Sequence, residues 1–101
     1  MVKIVWTRQS ADELKDIFDY IAKASRRYAE NQVKRIKEKT QGLKTQPESV
    51  RIVPELEIEQ IRELIEGAYR IVYRLIEKSR VEILTIHHSS RDFNSRDLNA
   101  K

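Results

Sequence analysis

Ile61-Arg62-Glu63-Leu64-Ile65, Glu66-Gly67-Ala68 and Tyr69-Arg70-Ile71-Val72-Tyr73-Arg74 form the stretch that decides the fold: two alternating segments joined at a glycine. A strand repeats every two residues, so Arg70, Val72 and Arg74 share one face, while Tyr69, Ile71, Tyr73 and Leu75 share the other. The second face can bury itself. The first carries cations at regular spacing, which suits a surface that meets an anionic group. Gly67 supplies the positive φ that a short hairpin needs.

Working outward, residues 80–87 read as a third strand of this set, after a turn at Glu77-Lys78-Ser79. Val81, Ile83 and Thr85 alternate with Leu84 and Ile86, so this strand is expected to be buried on both sides and central. At the other end of the chain, Val2, Ile4 and Trp6 alternate with Lys3, Val5 and Thr7, the pattern of a first strand. Ser10 stands three positions before Glu13, which predicts a capping box opening a helix. Leu14, Ile17, Phe18 and Ile21 give that helix one apolar stripe. Ser25 is a second candidate cap. Ala29, Val33, Ile36, Thr40 and Leu43 then form a narrow seam along a second helix, which Gly42 and Pro47 terminate. Residues 46–60, with Pro54, Glu55, Glu57 and Glu59, read as a connecting loop. The order β-α-α-β-β-β predicts an α+β fold, with a helical hairpin packed on one face of a mostly antiparallel four-stranded sheet. Residues 1–101 are expected to form one domain, with 93–101 as a flexible tail.

Composition narrows the function classes. There is no cysteine, which excludes disulfides and thiolate metal sites and fits a reducing compartment. No apolar run approaches the ~20 residues that span a bilayer, and the N-terminus turns polar too soon for a secretory signal. A soluble, cytoplasmic protein without membrane attachment is the expectation. Charged residues reach 36%, above the usual ~25%. The net charge of +4 is uneven: +5 over residues 1–45, −4 over 46–66 and +3 over 67–101. The basic ends suit a nucleic acid or an acidic protein partner, or simply a well-solvated surface.

The ordered set Val5-Trp6-Thr7, Ala11, Leu14, Ile17, Tyr20, Ile21, Pro47, Arg51, Val53-Pro54-Glu55-Leu56, Ile61-Arg62-Glu63-Leu64, Gly67, Tyr69-Arg70-Ile71-Val72-Tyr73-Arg74, His88 and Arg91-Asp92 resembles the RelE/ParE superfamily of toxins from type II toxin–antitoxin systems. The likeness covers nearly the whole chain and lies closer to the ParE-like branch. It implies a toxin that inhibits DNA gyrase and blocks replication, is neutralised by a cognate antitoxin encoded next to it, and meets operator DNA only through the antitoxin complex. No cofactor is implied.

The RelE-like alternative is a ribosome-dependent endonuclease of messenger RNA. It would place Arg62, Arg70 and Arg91 on the scissile phosphate, with His87 or His88 supplying protons. Against it, the second lysine slot of such nucleases falls on Gln60, and neither tyrosine nor histidine follows Arg91 in this sequence. A further alternative is an inactive module that only binds the antitoxin or the operator. As a binding groove, the resemblance and the alternation together point to Arg62, Tyr69, Arg70, Arg74, His88 and Arg91. The competing structural reading pairs these arginines with Glu63, Glu66, Glu82 and Asp92, packs Tyr69 and Tyr73 in the core, and sends His87 and His88 to opposite faces. No ligand spacing for a metal joins the two histidines to a third donor.

Overall fold

The computed structural model describes residues 2–45, 53, 60–77 and 79–88. Its elements are β1 (Lys3–Trp6), α1 (Arg8–Ala22), α2 (Arg26–Gln41) followed by a 3-10 turn (Gly42–Lys44), β2 (Ile61–Glu66), β3 (Tyr69–Ile76) and β4 (Arg80–His88). The sheet order is β1-β4-β3-β2. β2 pairs antiparallel with β3, and β3 with β4, while β1 runs parallel to β4. β4 is therefore central, as its continuous apolar run predicts, and the two helices lie on one face of a mostly antiparallel sheet.

The helix-covered core holds Leu14, Ile36, Leu43, Leu64, Ile71, Tyr73, Val81, Ile83 and Ile86. The expected seam of α2 is borne out: Ala29, Ile36, Thr40 and Leu43 are buried and Val33 is half-buried. Ser25 caps α2 by accepting a hydrogen bond from the Tyr28 amide at 3.1 Å. A smaller cluster on the opposite sheet face joins Val53, Ile61, Val72 and Leu84. The rest of the expected 46–60 loop, other than Val53 and Gln60, lies outside the described residues, as do Pro47 and the 93–101 tail.

Two sequence readings are corrected. The first helix begins at Arg8, and its cap is Thr7 rather than Ser10. The Thr7 hydroxyl accepts from the Ser10 amide and donates to the Ile83 carbonyl at 2.8 Å, so one side chain both caps α1 and anchors it to β4. Glu13 is consequently not drawn back into a box. Its Oε1 accepts hydrogen bonds from Thr85 Oγ1 at 2.7 Å and from the Ile86 amide at 2.9 Å.

The second correction is a bulge. Val72 stands opposite Thr85 but Tyr73 stands opposite Ile83, leaving Leu84 as the extra residue of β4. A bulge of this kind resets the alternation. Ile83 and Ile86, three apart, thus both enter the helix-side core, whereas simple alternation groups Ile83 with Thr85.

The β2–β3 turn is the two-residue Gly67-Ala68 between paired Glu66 and Tyr69, and Gly67 has φ +60°. A Cβ there would meet only ordinary contacts with the Gln32 side chain, at 3.7 Å and beyond, so the constraint is conformational and not spatial. Gly67→Ala is expected to lower stability by about 1–2 kcal/mol, the left-handed cost for an L-residue, without altering the native sheet. Urea unfolding followed by circular dichroism measures this, and Gly67→Asn should lose less.

Candidate functional site

The pleat of β3 and its register with both neighbours divide the candidate residues between the two faces of the sheet. Arg62 pairs with Tyr73, and Tyr69 pairs with Glu66 on one side and His88 on the other. These residues project toward the helical layer. Arg70 pairs with Ile65 and His87, and Arg74 with Ile61 and Glu82. They project from the opposite face. The grouping of Arg62, Tyr69, Arg70, Arg74 and His88 in one groove is thus replaced by two surfaces. Arg91 lies outside the described residues.

On the face away from the helices, the Arg70 guanidinium donates from Nε to the Glu63 carboxylate, and both side chains are buried (7% and 0% exposed). The two residues occupy diagonal positions across β2 and β3. Taking a charge out of water costs several kcal/mol, so such a pair persists only if both members are held in register. His87 stands beside Arg70 on the same face and is also buried. Arg74 differs: it is exposed and donates to Glu82 at 3.1 Å, with Arg80 3.7 Å from the same carboxylate. Pairs exposed like this contribute about 0–1 kcal/mol.

On the helical face, Tyr73 is fully buried, and burial pushes its phenol well above the usual value of 10.0, with the nearby Arg62 charge acting in the opposite sense. Tyr69 is half-buried. Its phenol is also raised, first by desolvation and then by the hydroxyls of Tyr20 and Tyr28. The exposed His88 ring meets the Tyr69 ring edge-on, with centroids 5.8 Å apart at 76°. His87 and His88 therefore serve opposite faces, as adjacent strand residues must.

This end of the sheet opens into a hollow of about 540 Å³ lined by Glu13, Asp16, Ile17, Tyr20, Tyr69, Ile86, His87 and His88. The α1 contribution is absent from the sequence reading of candidate residues. A signal existed: Glu13, Asp16, Ile17 and Tyr20 recur at i, i+3, i+4 and i+7, one helix face, but two acids on it disguise that face as solvent-directed. A second, apolar groove of about 630 Å³ is lined by Trp6 of β1, Ala11, Leu14 and Phe18 of α1 and Val33 of α2, together with Lys15, Asp19 and Lys37. Among the described residues, no group of three or more His, Asp or Glu is placed to hold a metal ion, and no helix is long and apolar enough to cross a membrane.

The burial of the Glu63–Arg70 pair makes a quantitative prediction. Glu63→Gln or Arg70→Met alone should each destabilise by about 3–5 kcal/mol, because each removes one member of a buried charge pair. The double variant should recover much of that loss. A double-mutant cycle by denaturant unfolding reads the coupling; additive single effects would refute a structural role for the pair.

Comparison with known proteins bears directly on identity. The model of the family described as the ParE toxin of the type II toxin–antitoxin system parDE matches residues 4–93. No curated protein matches the chain. Among solved structures, a chain of the chromosomal ParDE toxin–antitoxin system from P. aeruginosa superposes with a TM-score of 0.70 at 24% identity, covering 87% of this chain and 96% of that one. That likeness shows the fold, and the family match spans both helices and, but for Lys3, all four strands, including the Glu63–Arg70 pair and the hollow beside α1. The chain belongs to the ParE toxin family of type II toxin–antitoxin systems.

Proposed function

We propose that this protein is a gyrase-directed toxin, neutralised by a cognate antitoxin, and not a nuclease. The observation that carries this reading is the ParE family match over residues 4–93. The distribution of charged side chains supports it. A phosphodiester-cleaving site of the RelE-like kind would gather Arg62, Arg70 and a histidine around one phosphate. Arg62 projects to the helical face, whereas Arg70 and His87 are buried on the other, with Arg70 held by Glu63. His88 is exposed but faces Tyr69. A binder needs no such convergence; it requires only shaped surface and complementary charge.

The antitoxin segment in this account is amphipathic. Its apolar stripe suits the groove between Trp6, Leu14, Phe18 and Val33, and its charges meet the lysines that line it. Operator DNA is contacted through the resulting complex, and the protein acts in the cytoplasm.

Purified gyrase provides the test. The protein should inhibit supercoiling in proportion to its occupancy and should trap cleaved DNA on the enzyme, with relief on adding the product of the adjacent gene. Full supercoiling at saturating protein, with no trapped complex, contradicts the proposal. Cuts within translated codons after induction, mapped by primer extension, would instead establish the nuclease.

A further inference from the structure

The hollow between α1 and the paired ends of β3 and β4 has a chemistry opposite to that of the molecule around it. The chain carries a net charge of +4. Yet the charged residues lining this hollow are the acids Glu13 and Asp16, and among the described residues no lysine or arginine lines it. Its walls are aromatic. Tyr69 and His88 are fixed edge-on to each other, and Tyr20 rises from α1 across from them. Tyr20 is 73% exposed, which is unusual for so large a side chain on a folded domain and leaves its ring available as a contact face.

We infer that this hollow is a receptor site for an arginine side chain presented by a protein partner. Three physical features converge on that occupant. A cation over a tyrosine face is attracted by the ring quadrupole. A guanidinium is flat, so it stacks on one ring while its edge forks onto a carboxylate, a geometry an ammonium cannot reproduce. Asp16 supplies that carboxylate at the exposed lip. Glu13 lies deeper, oriented by its hydrogen bonds from Thr85 and the Ile86 amide, and adds fixed negative charge to the floor. The Ile17 and Ile86 side chains provide apolar wall for the methylene stem. An anionic nucleic acid would be repelled here. The hollow opens to solvent on the Tyr20 side, which suits the end of one side chain on a larger polypeptide and not an enclosed small molecule.

The inference concerns this pocket alone and stands independently of whether gyrase is the target. The test is an NMR titration of the full-length protein with N-acetyl-arginine methylamide, and with the neutral isostere N-acetyl-citrulline methylamide. The arginine probe is expected to saturate in the millimolar range, with shifts confined to resonances of Asp16, Tyr20, Tyr69 and His88. Citrulline should bind at least several-fold more weakly. Tyr20→Leu and Asp16→Asn alter exposed side chains, so both should retain the native spectrum, and each should weaken the arginine probe by ~2- to 5-fold. Equal binding of arginine and citrulline, shifts scattered over the surface, or unchanged affinity in both variants would overturn the inference.

Discussion

The interaction on which the arrangement depends is the carboxylate of Glu13 against the edge of β4. β1 covers that edge only as far as the Trp6–Ile83 pair. Beyond it the chain turns into α1, and the backbone groups of β4 would otherwise face outward without a neighbouring strand. Two side chains from α1 and its cap take over: Thr7 bonds the Ile83 carbonyl, and Glu13 accepts from the Ile86 amide and the Thr85 hydroxyl. Leaving a buried amide unsatisfied costs about 1–3 kcal/mol, so these bonds both close the sheet and fix where α1 lies. That placement in turn sets Asp16 and Tyr20 opposite Tyr69 and His88.

The same geometry separates structural charge from available charge. The hairpin between β2 and β3 was expected to display a row of arginines on one surface. Arg70 and Arg74 do share one face, but Arg70 sits in a buried pair with Glu63 and Arg74 in an exposed one with Glu82. The two arginines of β3 thus differ in burial, and Arg62 lies on the other face.

Much of this was legible in the sequence because it rests on local periodicity. The strands 61–65, 69–76 and 80–87, the seam of α2, the Ser25 cap and the Gly67 turn are all carried by residues a few positions apart. The errors fall where distant contacts override local rules. Ser10 and Glu13 form a sound capping pattern, but β4, more than seventy residues away in the chain, offers Thr7 and Glu13 better partners. The Leu84 bulge is invisible to alternation because one extra residue leaves the composition of the strand unchanged. The parallel pairing of β1 with β4 likewise follows from topology and not from any local pattern. For the site, Arg70 could be placed on the correct strand, but whether its charge meets Glu63 or solvent depends on the diagonal register between strands. The α1 wall of the hollow is hidden from local reading because acids on a helix ordinarily mark a solvated face.

The central claim, that Glu13 replaces a missing strand along β4 and thereby positions α1, is tested most directly by amide hydrogen exchange in Glu13→Ala. The Ile86 amide is predicted to lose protection by at least about tenfold more than the core amides of β3, a difference within the ~1–3 kcal/mol range for an orphaned buried donor. Unchanged Ile86 protection, or a uniform loss across β3 and β4, would contradict it.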